Sequence, residues 1–132
     1  MQYQSTLNRA GLIDLATQKY FGNVDAKNLD AVLDCFHDEA LFTVQTAHTV
    51  HAGKAEIRRM FEDFFSAYEV IVHKDFTCTV DEKNGRITAV FNVVLKDAEG
   101  NETLMQNTNF WRVREEKFQE VYVYMSGANV LV

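Results

Sequence analysis

Four extended stretches follow one another between Val70 and Met125, and only short turns separate them: Val70 to Asp81, Arg86 to Asp97, Thr103 to Arg114 and Phe118 to Met125. The first three are rich in β-branched and aromatic residues, which suit a pleated, half-buried surface. Asn84-Gly85 supplies a tight hairpin turn, Gly100-Asn101 a looser one and Glu115 to Lys117 the third. Connections this short join antiparallel neighbours, so the segment predicts a four-stranded antiparallel meander. Long strands twist, and such a sheet needs a layer to cover one of its faces.

The cover is written upstream. Ile57, Met60, Phe61, Phe64, Phe65 and Tyr68 form a wide helical stripe opposed by Arg58, Arg59, Glu62 and Asp63. An earlier helix is expected over roughly residues 6 to 21, capped by Ser5, with Leu12, Leu15, Ala16 and Tyr20 on one face and Gly22-Asn23 as its stop. A short second helix follows Asp25, where Leu29, Val32, Leu33 and Phe36 recur at helical spacing. Ala40 to Thr46 reads as a strand, and Thr49 to Ala52 as a short return strand before Gly53. The expected fold is therefore α+β, with three helices on one face of a curved antiparallel sheet that encloses an interior.

At 132 residues, with no linker or repeat, the chain is expected to form a single domain over 1–132. Its net charge of −6 is dispersed, and no basic patch interleaved with aromatics appears, which argues against nucleic acid as a partner. Cys35 and Cys78 lie on different expected elements and read as structural thiols. Neither a signal peptide nor an apolar run of membrane-spanning length is visible, so a cytoplasmic location and no membrane partner are expected.

Three phrases resemble the SnoaL-like and ketosteroid-isomerase-like branch of the nuclear transport factor 2-like superfamily. One runs from Gln18-Lys19-Tyr20 through Asn28-Leu29-Asp30 to Phe36-His37-Asp38-Glu39-Ala40. Another is Gly53-Lys54-Ala55-Glu56-Ile57-Arg58, and the third is Phe110-Trp111-Arg112-Val113 with the final strand and Tyr124-Met125-Ser126-Gly127-Ala128-Asn129-Val130-Leu131. The resemblance implies a cystatin-like half-cone, a deep apolar pocket and a homodimer through the outer sheet face. It does not settle function, because one fold of this kind carries isomerases, dehydratases, cyclases and binding modules.

The resemblance also supplies positions. Tyr20 matches the donor tyrosine of the ketosteroid isomerases, Asn109 falls where their second donor stands, and Val44 falls where they carry the catalytic carboxylate. Valine takes no proton, so that chemistry in its known form is not expected. Tyr20 reads equally as a core residue with its hydroxyl satisfied. Alternation places Met105, Asn107, Asn109, Trp111 and Val113 on one, inner face. Phe42, Val44, Phe91, Val93, Leu95, Val123 and Met125 complete expected apolar walls suited to a hydrophobic small molecule with one or two polar groups.

His48 and His51 flank the expected hairpin, a region that the resemblance implies borders the pocket mouth, and are the candidate bases. Three residues apart on a strand, they point to opposite faces, so no metal site is expected. Strict alternation puts His73 with Asp75, Thr77 and Thr79 on the outer face, and His37 reads as a helix C-terminal cap. No phosphate loop or nucleophile triad is visible, and no cofactor is implied. The leading expectation is an isomerase, dehydratase or cyclase acting by proton transfer on a hydrophobic carbonyl or alcohol; the alternative is a noncatalytic ligand-binding or dimerisation module.

Overall fold

The computed structural model describes residues 5–132. The first helical run comprises α1 (Arg9–Asp14), a π-helical stretch (Leu15–Tyr20) and α2 (Phe21–Asp25). Asn8 caps it, its side chain accepting from the Gly11 amide at 2.8 Å. Ser5, expected in that role, instead pairs with Glu115 and accepts from the Leu7 amide. Gly22 and Asn23 do not end the run but lie within α2; one glycine costs a helix only about 1 kcal/mol. The run ends where Lys27 adopts the left-handed conformation at φ 58°.

The remaining helices are α3 (Leu29–Leu33) and α4 (Gly53–Ala67). As the stripe predicts, α4 buries Ile57, Met60, Phe61 and Phe64. Lys27 Nζ donates to the Phe65 carbonyl at 3.0 Å and to the Tyr68 carbonyl, fastening the helical run to the end of α4. No helix among the described residues is long and apolar enough to cross a membrane.

The sheet has six strands: β1 (Phe36–Val44), β2 (Thr49–Ala52), β3 (Val70–Asp81), β4 (Arg86–Lys96), β5 (Glu102–Arg114) and β6 (Lys117–Tyr124), in the order β2-β1-β6-β5-β4-β3. Neighbours are antiparallel except β1 and β6, which pair in parallel with Phe42 opposite Val121 and Val44 opposite Val123. The expected four-stranded antiparallel meander is thus four strands of a six-stranded mixed sheet. Phe36 and His37 open β1 instead of ending a helix, and His37 Nε2–H donates to the Arg114 carbonyl at 2.7 Å. Phe36 satisfies the helical spacing from Leu29, which is why periodicity carried the helix too far.

At the β3–β4 turn Gly85 has φ 63°, and a Cβ there would lie 2.6 Å from the Val113 carbonyl oxygen. The turn therefore requires glycine. The helices cover the concave face of this twisted half-cone, and one contiguous apolar core fills the space between them. On the opposite face Val90, Phe110 and Tyr124 stay exposed around the Arg112–Glu120 ion pair.

β3 departs from strict alternation. Its register against β4 shifts between Lys74 and Thr77, with Asp75 at φ 60°, the mark of a β-bulge. Ile71 and His73 before the bulge therefore face inward, as do Phe76, Cys78 and Val80 after it.

Candidate active site

A cavity opens between the helical run, α4 and the inner sheet face. Of the residues the sequence reading names, Tyr20, Asn109, Phe42, Phe91, Val93, Met105, Asn107, Val123 and Met125 line it. Val44, Leu95 and Trp111 do not: each is buried in the packed core outside the lining. Phe21, Val24, Phe61 and Phe64 add walls from the helices, and Val130 and Leu131 close over one side. The free space is small, about 20 Å³, room for roughly one water molecule. The envelope between the lining residues and out through the mouth is about 380 Å³, so a larger ligand enters only as side chains such as Met105 and Met125 turn aside.

Neither candidate base reaches this space. His48 sits in a left-handed turn at φ 51° and is exposed. His51 is buried, but its ring is occupied: Nε2–H donates to the Leu131 carbonyl at 3.0 Å, and Nδ1 accepts from Arg59 at 3.3 Å. Arg59 also holds the Val132 carbonyl and Asp63. Together these contacts pin the segment carrying Val130 and Leu131 across the cavity.

The histidine that does line the cavity is His73. Its side chain is only 8% exposed, a correction to the outward position expected from unbroken alternation. Asp25, the last residue of α2, accepts twice from it: the His73 backbone amide donates to Oδ2 at 2.8 Å and Nδ1–H to Oδ1 at 2.6 Å. A carboxylate on Nδ1 fixes the tautomer with its proton there, leaving Nε2 as the basic nitrogen. Phe21 stacks on the imidazole at 4.2 Å between centroids, and Phe91 flanks it at 5.6 Å. The His73 main chain and ring are thus held by the two Asp25 carboxylate oxygens, which accept, and the ring packs against the contacting Phe21 and Phe91 rings.

Tyr20 ends the π-helical stretch and is 2% exposed, packed edge-on against Phe36, Phe61, Trp111 and Phe118. Burial, with smaller contributions from Cys35 and Asp25, raises its pKa well above the ordinary tyrosine value. The hydroxyl is therefore a neutral donor throughout the physiological range. Asn107 Oδ1 accepts from the Ser126 amide at 3.2 Å. Asn109 is 2% exposed, and its Oδ1 has no hydrogen-bond partner among the described residues, nor has Trp111 Nε1. Buried polar atoms are nearly always paired, so an orphan in a cavity wall is suited to a bound molecule. Among the described residues no group of three or more His, Cys, Asp and Glu side chains could hold a metal ion.

Residues 17–121 match the model of the SnoaL-like domain family. The chain belongs to that family. Solved structures of similar fold include a proposed polyketide cyclase from Xanthomonas campestris pv. campestris (20% identity, TM-score 0.78, covering 89% of this chain and 92% of that one). A proposed isomerase from Bacillus subtilis superimposes with TM-score 0.79 at 13% identity, covering 91% and 90%. A hypothetical protein with a ketosteroid isomerase-like fold from Catenulispora acidiphila, in complex with trimethylamine, gives 0.75 at 12% identity, covering 87% and 88%. At these identities the likeness establishes the fold. No protein of curated function matches the chain.

For this SnoaL-like domain, the site residues that sequence reasoning missed are Asp25 and His73. Their one sequence signal is Lys74-Asp75, two adjacent charges in the middle of the strand.

Proposed function

We propose that the protein is a small-molecule enzyme that moves a proton on a hydrophobic carbonyl compound or alcohol, as an isomerase, dehydratase or cyclase. The observation that carries this reading is the 2.6 Å Asp25–His73 hydrogen bond beside a cavity that Tyr20 and Asn109 also line. His73 Nε2 takes a proton from carbon, and Asp25 stabilises the imidazolium that results. The electron pair moves onto the adjacent carbonyl oxygen, where the Tyr20 hydroxyl donates, while Asn109 Oδ1 orients the molecule by accepting from a donor elsewhere on it. Returning the proton to another carbon completes an isomerisation; expelling a protonated leaving group completes a dehydration. The base thus comes from β3, while the position of Val44 stays apolar. The polyketide cyclase and isomerase names of structural neighbours agree with this range of chemistry without choosing within it.

The narrow cavity favours one other reading, a noncatalytic module whose interior is largely filled by its own side chains. Native mass spectrometry of the purified protein, followed by carbon-bound deuterium exchange of the released molecule in heavy water, separates the two. The enzyme reading expects exchange that falls by about 100- to 10,000-fold in His73→Ala. A molecule that binds yet exchanges no faster with the unmodified protein than with His73→Ala would establish the module. The same mass spectrum reads the oligomeric state, and exposed Val90, Phe110 and Tyr124 support a homodimer through the outer sheet face.

A further inference from the structure

The proposed chemistry needs His73 turned toward the cavity, and uninterrupted alternation would turn it away. One irregularity reverses it. From Lys74 to Thr77, β3 takes three residue steps while β4 takes two, from Asn92 to Val90. The extra residue changes which parity faces inward, so His73 shares the inner side with Phe76 although the two are three positions apart. Asp75 within the bulge has φ 60°, a left-handed conformation that disfavours every residue but glycine, asparagine and aspartate least. Its Oδ2 accepts from Asn92 Nδ2 on the neighbouring strand at 3.0 Å.

We infer that Asp75 and Asn92 are a positioning pair for His73, acting from the outer face of the sheet on a base they do not touch. Asp25 explains why small movements of the bulge matter. Its carboxylate receives both the backbone amide and the ring Nδ1–H of His73, so the main chain two residues before Asp75 must present both donors at once. Loosening the bulge rotates that main chain and offers the carboxylate one donor or the other. Neither Asp75 nor Asn92 lines the cavity, so altering them leaves the ligand's own contacts in place.

The inference rests on the proton-transfer reading for its purpose, but its test does not. Imidazole correlation spectra of nitrogen-15-labelled protein report which ring nitrogen of His73 carries the proton and how fast that proton exchanges with water. The unmodified protein should show a protected Nδ1 proton. Asn92→Ala and Asp75→Ala should show exchange about tenfold faster, the scale of one lost hydrogen bond, together with a mixture of tautomers. Asp75→Asn keeps both an acceptor and the tolerance for a left-handed backbone, and should restore the original spectrum. Asp75→Gly keeps only the backbone, lies between, and reports the effect even where Asp75→Ala folds poorly. Unchanged His37 and His51 signals would certify the fold in each variant. A His73 spectrum unaltered in Asn92→Ala and Asp75→Gly would overturn the pair. Altered spectra with undiminished deuterium exchange into the ligand would keep the pair and remove the catalytic reading instead.

Discussion

β5 and β3 border the same cavity, from either side of β4, and obey the period-two rule to different extents. Along β5 the pattern runs unbroken for 13 residues, and Met105, Asn107, Asn109, Trp111 and Val113 are all at most 6% exposed. Along β3 the same rule holds on each side of the bulge and fails across it. Period two carries only relative phase, so one extra residue inverts every expectation beyond it. The unbroken strand supplies a wall with two buried amides, Asn107 and Asn109. The broken strand supplies the histidine proposed as base.

The most severe way to break this contrast is to delete Asp75 and give β3 the regularity of β5. Ile71 and His73 should then turn outward, and Lys74 inward against apolar neighbours. Unfolding free energy should fall by about 3 kcal/mol or more, because a buried cation without a partner is among the costliest defects a fold can carry. Thermal unfolding and the His73 imidazole signal check this; a deletion protein of unaltered stability with His73 still buried would refute the parity argument.

A milder test lies on β5. Asn109→Leu keeps the side-chain shape and removes an unpartnered buried carbonyl, so the free protein should be as stable as before or more so. Ligand affinity should meanwhile fall about tenfold, as when one hydrogen bond is lost. A variant losing stability and affinity together would mean that Asn109 serves the fold and not the ligand.

The smallest effect concerns pH. Tyr20, wedged against Trp111 of β5, has its pKa raised in the folded state above the unfolded value near 10. The folded state therefore holds its proton longer, and stability falls as pH rises above 10. Cys35, pushed up by burial from 9.0 to about 11, acts in the same direction between those two values. Denaturant titrations at pH 8 and pH 11 should show this decline, reduced in Tyr20→Phe.

The legible part of the molecule was whatever local spacing determines. The α4 stripe, the Asn84-Gly85 turn and the inner face of β5 each express their environment within a few residues. The parallel pairing of β1 with β6 does not, since nothing in residues 36–44 names a partner so distant. Tyr20 is reached through family resemblance, and Asn109 through resemblance and strand alternation together; both line the cavity. Spacing does not single out the histidine that lines the cavity, for two reasons. The family resemblance puts His51 near the mouth, but only the folded chain reveals that Leu131 and Arg59 occupy its ring. And His73 lay behind a bulge whose sequence trace is a pair of charges.

The β1–β6 pairing also bears on the order in which the molecule comes apart. Strands β3 to β6 close through local turns, whereas β1 meets β6 across roughly eighty residues of chain, at a larger entropic cost of closure. That junction is a seam: in the strand order it is where the hairpin of β1 and β2 joins the meander. Phe42, a wall of the cavity, stands on one side of it, and His73 stands on the other. Parting the seam would empty the site while β3 to β6 stayed paired, so binding would vanish before most of the sheet had melted.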